Sequence, residues 1–146
     1  MSMGERTLKL LATLFLIWAL VATFLYFQRS PAPQVSEKIV RVNLGIKYKN
    51  GTVEWHNSTS LKEGSTLLDA TSKVAIVNYT KYPTGCFVDS INGVRNEHPY
   101  YWIWWYWEET TGWTLGPVAA DKYVPSDGEV VMWFYEDTTQ WPPQRP

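Results

Sequence analysis

Two histidines and one cysteine are the side chains of this 146-residue chain best suited to metal binding or nucleophilic chemistry. His56 and His98 lie 42 residues apart, and neither forms part of a recognisable metal-ligand pattern. A lone cysteine forms no internal disulfide, and we interpret Cys86 as a small buried hydrophobic residue. The sequence therefore predicts no metal site and no reactive thiol.

Carboxylates and hydroxyls offer no catalytic arrangement either. Glu108 and Glu109 are adjacent in a predicted loop, where neighbouring side chains point apart, so we expect a solvated turn. Asp89 and Ser90 lack the G-x-S-x-G pattern that surrounds a nucleophilic serine, and no glycine-rich phosphate loop is present. We predict no catalytic residue and no enzyme activity.

Aromatic residues are the unusual feature of the composition: they make up 16% of the chain, with nine Trp and nine Tyr. Seven of the eight residues from 100 to 107 are aromatic, and we predict a strand there. One face, which we call the helix face, would carry Tyr100, Trp102, Trp104 and Tyr106, joined by Val131, Trp133 and Tyr135 of the last strand. The opposite face, which we call the outer face, would carry Tyr101, Ile103, Trp105, Trp107, Met132 and Phe134.

The outer face must be either covered or used for binding, because one helix covers only one face of a sheet. We predict a contact surface for a ligand or partner at Tyr101, Trp105, Trp107 and Trp113, since exposed aromatic patches mark interaction sites. Two alternatives remain open: residues 113–126 and the Trp141 tail fold back over this face, or it contacts the membrane headgroup region.

The elements around these residues predict an α+β domain. Alternating residues 39–48 indicate a half-buried strand, and Asn50-Gly51 indicates a type I′ turn that pairs Tyr48 with Val53 and Ile46 with Trp55. A short amphipathic helix is expected over 66–75, capped by Ser65 or Thr66. Strands follow at 86–91, 100–107 and 129–135. This order predicts a β-grasp, in which one helix packs across a mixed sheet.

Several of these segments resemble the transcobalamin-like C-terminal domain, a ubiquitin-like β-grasp module of surface proteins and vitamin B12 carriers. The resemblance covers about residues 38–136 and rests on segments 66–70, 85–93, 101–102 and 133–135. It implies a binding role without catalysis, and it makes cobalamin a candidate ligand. The large helical domain that completes the cobalamin site of the carriers has no counterpart here, and no cobalamin-contacting residue is matched.

Leu10–Phe27 is an 18-residue stretch without a charge, long enough to span the hydrocarbon core of a bilayer. A cleaved signal peptide is the main alternative, but cleavage after Ala32 would place Pro33 just beyond the cut. We therefore predict an uncleaved anchor. Arg6 and Lys9 before the stretch favour an N-terminus inside the cell and an extracytoplasmic domain.

The predicted organisation has five parts: a cytoplasmic N-terminus (1–9), a transmembrane helix (10–27), a Pro-containing tether (28–37), a β-grasp ectodomain (38–136) and a Pro-rich tail (137–146). Asn50, Asn57 and Asn78 each begin an N-x-[ST] triplet, which predicts glycosylation sites if the domain is extracytoplasmic.

These observations predict a membrane-anchored extracytoplasmic binding or interaction module that uses its aromatic face and requires no cofactor. The expected partners are the membrane, through the N-terminal helix, and a membrane or surface protein. A net charge of −1 gives no basic surface for nucleic acid. The alternatives are a subunit that captures a cobalamin-like or saccharide ligand beside a transporter, and a component of a surface layer or filament.

Overall fold

A computed structural model describes residues 3–29 and 36–143, so residues 30–35 of the predicted tether lie outside the described residues. The chain divides into two compact units, one ending at Ser36 and the other beginning at Glu37. The first contains the helix α1 (Met3–Arg29), with a mean hydropathy of 2.3 over its most apolar window. At 1.5 Å per residue its 27 residues span about 40 Å, so it is long and apolar enough to cross a membrane.

The described residues of the second unit, 37–143, form eight strands and one helix. Their order is β1 (Ile39–Lys47), β2 (Val53–Lys62), α2 (Leu67–Val74), β3 (Val77–Tyr82), β4 (Gly85–Ile91), β5 (Val94–Arg95), β6 (Tyr100–Glu108), β7 (Gly112–Leu115) and β8 (Val130–Asp137). Five strands form a mixed sheet in the order β2-β1-β8-β6-β7, in which β1 and β8 run parallel. The other three form a separate antiparallel sheet, β3-β4-β5.

The α+β class predicted from the sequence is confirmed, but the structure has two sheets where one was expected. The predicted strand 86–91 corresponds to β4 and pairs with β3, which the sequence did not indicate. The reason is visible in the burial of β3: five of its six residues are exposed, so it has no apolar alternation to detect.

The predicted hairpin exists, but its predicted register is wrong by one residue. Lys47 lies opposite Val53 and Ile46 opposite Glu54. The Tyr48 N–H donates to the Thr52 carbonyl, and Gly51 has a φ of +85°. Asn50 is not in the left-handed region that a type I′ turn requires, so a three-residue loop closes the hairpin.

This shift moves Trp55 to the outer face of the sheet. Trp55 lies opposite Gly45 in the paired strands, and Gly45 has Met132 as its parallel neighbour. A Cβ at Gly45 would approach the Met132 Cε to 2.7 Å and a Trp55 ring carbon to 3.1 Å. The absence of a side chain at residue 45 therefore lets these two large residues meet above the sheet.

Helix α2 begins where the sequence indicated. Thr66 is the N-cap, and its hydroxyl accepts from the Asp69 backbone N–H while the Asp69 carboxylate accepts from the Thr66 N–H. The Thr71 hydroxyl on this helix accepts a hydrogen bond from the Trp133 indole at 2.9 Å, and both residues are buried. Helix α2 therefore packs on the helix face of the five-stranded sheet.

The small sheet packs against the same core. Trp102 donates its indole N–H to the Val94 carbonyl, and the Tyr135 hydroxyl donates to the Arg95 carbonyl. Buried residues of β1, β4, β6, β8 and α2 join in one cluster. Both α2 and the small sheet thus pack on the helix face.

Candidate functional site

The structure separates the four residues predicted to form a contact surface. Trp105 is only 3% exposed and belongs to a buried cluster with Met132 and Phe134, so its ring is not accessible to a partner. Trp107 is 47% exposed, and its ring lies 5.4 Å from that of the half-buried Trp113 at the β6–β7 hairpin. Tyr101 is half-buried and lies 6.4 Å from Phe87 of β4.

Strand β7 supplies much of the cover of the outer face. Trp113 and Leu115 pack on the buried cluster, with the Trp113 ring 5.6 Å from that of Phe134. Residues 116–125 pack elsewhere: Ala120 and Tyr123 belong to the core on the helix face. In the tail, Pro143 is buried while Trp141 is 68% exposed. The aromatic strand is thus used mainly for internal packing.

A largely apolar surface lies between β4 and β6. A groove of about 510 Å³ runs between the two sheets, and Trp141 of the tail lies along it. We call it the inter-sheet groove. The aromatic and aliphatic side chains that line it are Tyr82, Phe87, Val88, Trp102, Ile103, Trp104, Leu115, Trp133 and Trp141.

Two close approaches of the backbone shape this groove. Gly116 lies against the Trp104 ring, and its amide donates to the Trp104 carbonyl at 3.0 Å. Gly85 has a φ of +139°, and a Cβ there would lie 2.4 Å from that of Ala119. The Asp121 carboxylate accepts from the Cys86 N–H at 2.6 Å and so joins this loop to β4.

The indole N–H groups of the three buried groove tryptophans are already used inside the domain. Trp102 donates to the Val94 carbonyl, Trp104 to the Val118 carbonyl at 3.0 Å, and Trp133 to the Thr71 hydroxyl. These buried rings, at 3–6% exposure, form the floor of the groove, and the exposed rings of Tyr82, Phe87 and Trp141 are the ones that a ligand can stack on. Such a surface suits a flat apolar group, which gains dispersion and loses little hydration when it is buried.

Cys86 lines the groove and is half-buried. Burial, followed by the nearby Asp121 carboxylate, raises the pKa of its thiol. The thiol therefore stays protonated at neutral pH, which makes it a poor nucleophile. It remains a useful chemical label for the groove, because it is the only cysteine in the chain.

The remaining polar candidates are engaged in local structure. Hydrogen bonds from Thr111, and then from Thr114, lower the pKa of Glu108. Ser90 is 2% exposed and accepts a hydrogen bond from Asn78. Within residues 3–29 and 36–143, no three His, Cys, Asp or Glu side chains come together as a metal site.

The three predicted glycosylation sites lie at exposed positions. Asn50 is in the β1–β2 loop, Asn57 is in β2, and Asn78 is in β3. The Asn50 side chain accepts from the Thr52 N–H at 3.0 Å, as expected of an Asn that stabilises a turn. Glycosylation at these sites stays a prediction.

Comparison with known proteins identifies a family and a shared fold. The model of a family described as a domain of unknown function, DUF4430, matches residues 64–137. Haptocorrin in complex with Cbi has a similar structure, with a TM-score of 0.55 and 18% identity, over 68% of this chain and 26% of the haptocorrin chain. No curated protein matches the sequence.

A second solved structure is similar over nearly its whole length. It is a protein from Ruminococcus gnavus ATCC 29149 to which metal binding has been ascribed, with a TM-score of 0.54 and 11% identity, over 67% of this chain and 97% of that one. These similarities support the transcobalamin-like fold that the sequence motifs indicated.

Proposed function

We propose that this chain, which belongs to the DUF4430 family, is a membrane-anchored binding module that holds a flat apolar ligand in its inter-sheet groove. One observation carries the proposal. The groove, of about 510 Å³, has a floor of buried indole rings whose N–H donors are paired within the domain and a rim of exposed rings at Tyr82, Phe87 and Trp141. Its volume lies within the range of small-molecule pockets. The ligand would be recognised by shape and by stacking on these rings.

Similarity of fold favours a corrinoid as a second, more specific candidate. Haptocorrin was solved with Cbi bound, and the two structures share their fold over 68% of this chain. A corrin ring is broad and flat, as a groove lined with aromatic rings requires. The matched part is only 26% of the haptocorrin chain, so we propose the ligand class and not haptocorrin's complete binding site.

The proposal includes the β-grasp fold and an extracytoplasmic position. The parallel pairing of the first and last strands in the middle of the large sheet, with α2 packed on one face, supports a β-grasp. Helix α1 supports membrane anchoring by its length and composition. The exposed sequons and the basic residues before the apolar stretch favour a domain outside the cell.

Groove binding is tested with N-phenyl-1-naphthylamine, a neutral flat probe, and with Cbi. We expect saturable binding that slows alkylation of Cys86. Phe87→Ala and Trp141→Ala each remove an exposed ring from the groove, at 41% and 68% exposure. Each should weaken binding by at least about fivefold, which corresponds to about 1 kcal/mol. The measurements are fluorescence titration and the rate of thiol labelling.

Trp55→Ala is the matched control, because Trp55 is similarly exposed, at 46%, but does not line the groove. It should leave probe affinity and Cys86 labelling unchanged. Equal affinities of the Phe87, Trp141 and Trp55 variants would contradict the proposal. Binding of the neutral probe without binding of Cbi would keep the groove as the site and remove the corrinoid.

Membrane anchoring is tested on the full chain by alkaline carbonate extraction. We expect the protein to stay with the membranes and to require detergent for release. Leu16→Lys combined with Val21→Lys should release it, because each charge near the middle of a spanning helix costs about 3 kcal/mol. Leu16→Ala with Val21→Ala is the control and should stay bound.

Release of the wild-type chain by carbonate alone would contradict the anchor. The side of the membrane is read from Cys86 in intact cells. A membrane-impermeant maleimide should label it without lysis, and labelling only after lysis would place the domain inside.

A further inference from the structure

A small depression on the outer face contains one of the three sequons. It has a volume of about 380 Å³ and is lined by Asn43, Trp55, Asn57 and Val130. Asn57 begins an N-x-[ST] triplet, and Trp55 precedes it by two residues in β2. Their side chains therefore lie on the same side of the strand, and both residues are exposed.

A bulge between β1 and β2 gives this depression its shape. Where the register shifts, Asn57 and Ser58 of β2 together face the single residue Asn43 of β1. Ser58 has a φ of +53°, a left-handed conformation that is uncommon for a residue other than glycine. The Asn43 side-chain carbonyl accepts from the Ser58 backbone N–H at 3.0 Å. The bulge thus fixes the backbone at the middle residue of the sequon.

The three candidate asparagines differ in how their side chains are used. The Asn78 amide nitrogen donates to the hydroxyl of the buried Ser90 at 2.9 Å. The Asn50 side-chain carbonyl accepts from the Thr52 N–H and stabilises the β1–β2 turn. Within residues 3–29 and 36–143, the Asn57 side chain makes no hydrogen bond. Asn57 therefore has its whole amide group available at an exposed position.

Trp55 provides an apolar surface beside that amide. Its ring reaches over Gly45, where a Cβ would lie 3.1 Å from a Trp55 ring carbon, and the side away from β1 stays open. A pyranose carries C–H groups on its faces, and these lose contact with water when they pack on an indole ring. The Asn43 amide nitrogen, without a hydrogen-bond partner in the described part of the chain, can donate to a sugar hydroxyl.

We propose that Asn57 carries an N-linked glycan whose first sugar, a pyranose, packs on the exposed side of Trp55. The Asn57 amide nitrogen bonds to the anomeric carbon of a sugar that is activated as a phosphate or diphosphate ester of a membrane lipid. The bond from that carbon to the ester oxygen breaks, the lipid phosphate leaves with the electron pair, and the nitrogen loses one proton. A glycosyltransferase of the cell catalyses this step.

The inference rests on the extracytoplasmic position proposed above, but it is independent of the ligand in the inter-sheet groove. It also gives the glycan a consequence for assembly. Strand β2 is an edge of the five-stranded sheet, and an unpaired edge can pair with another chain. A glycan in the middle of β2 obstructs such pairing.

The test uses the full chain, purified in detergent from its native membranes, with peptide mapping by mass spectrometry. We expect a sugar mass on the peptide that contains Asn57, at higher occupancy than on peptides with Asn50 or Asn78. Asn57→Gln should lose this mass. Asn50→Gln is the matched control and should leave the Asn57 sugar in place.

Packing on Trp55 has its own readout in thermal unfolding, because a sugar that only projects into solvent adds no contact. In glycosylated chains, Asn57→Gln should lower Tm by about 3 °C, and by less than about 1 °C when Trp55→Ser is also present. The same variants made in a host without N-glycosylation are the control. There, Asn57→Gln should leave Tm unchanged with either residue at position 55.

The outcomes separate this proposal from the proposed function. If the impermeant maleimide labels Cys86 in intact cells but Asn57 carries no sugar, the glycan proposal is wrong and the proposed function stands. Labelling of Cys86 only after lysis would contradict both. If loss of the Asn57 sugar lowers Tm equally with and without Trp55, the sugar does not pack on this ring and the proposal is overturned.

Discussion

Replacing Gly116 by alanine is expected to lower the free energy of unfolding by about 3 kcal/mol, as an overpacked core does. A Cβ at this position would lie 2.1 Å from one atom of the Trp104 ring and 2.5 Å from two others. The ring cannot move aside easily, because it is 6% exposed and its indole N–H donates to the Val118 carbonyl. Denaturant unfolding of the full chain in detergent measures the effect.

Gly93→Ala is the matched control for Gly116→Ala. A Cβ at Gly93 meets nothing within 4 Å, but its φ of +82° makes an L-residue unfavourable by about 1 kcal/mol. The Gly116 variant should therefore be clearly the less stable of the two. It should also bind the neutral groove probe more weakly than wild type, because Trp104 and Gly116 both line the inter-sheet groove. If Gly116→Ala is no less stable than Gly93→Ala, the Trp104 ring moves to accommodate the added methyl group.

Replacing Trp133 by phenylalanine is expected to cost about 3 kcal/mol of unfolding free energy. Trp133 is 3% exposed, so the smaller ring leaves a cavity beneath α2. The substitution also removes the hydrogen bond from the indole N–H to the Thr71 hydroxyl. Thr71 keeps its own donation to the Leu67 carbonyl at 2.7 Å. Trp107→Phe, at the exposed β6–β7 hairpin, is the control and should cost less than about 1 kcal/mol of unfolding free energy.

A double-mutant cycle separates the hydrogen bond from the packing. Thr71→Val keeps the shape of the side chain but leaves the buried indole N–H without its acceptor, at a cost of about 2 kcal/mol. Because both single variants lose the same bond, the double variant should cost about 1 kcal/mol less than their sum. Simple additivity would mean that this bond does not couple α2 to the sheet.

These results bear on the proposed function, because the groove depends on how both sheets meet the same core. Trp102, Trp104 and Trp133 contribute to the groove wall and to the core at once. Phe87, Tyr82 and Trp141 reach the groove from exposed positions. Ligand specificity can therefore be changed through the exposed residues without loss of stability, whereas the buried tryptophans are constrained by folding.

Local patterns were sufficient to predict much of the domain. The start of α2 follows from Thr66 and Asp69, which form a capping box within four residues. The alternation in β6 and β8 predicted which aromatic residues face the helix, as the Trp133–Thr71 hydrogen bond confirms. The apolar stretch after Lys9 predicted a long helix, observed as Met3–Arg29.

Register, strand pairing and burial depend on contacts between distant residues, and those local patterns could not predict them. The hairpin register depends on the backbone conformation at Asn50 and Gly51, where two turn types of different length suit the same residues. Strand β3 is exposed along almost its whole length, so only its pairing with β4 reveals it. The burial of Trp105 also depends on Trp113 and Leu115 of β7, which follow it in the chain by eight and ten residues.

The sequence by itself thus determined the types of the main elements, the two faces of the aromatic strand and the apolar length of α1, because each depends on residues close together in the chain. Only the tertiary structure decided which aromatic rings are buried and where a ligand can enter. The inter-sheet groove is assembled from segments far apart in sequence. Its existence depends on how the two sheets and the tail pack, which no local pattern encodes.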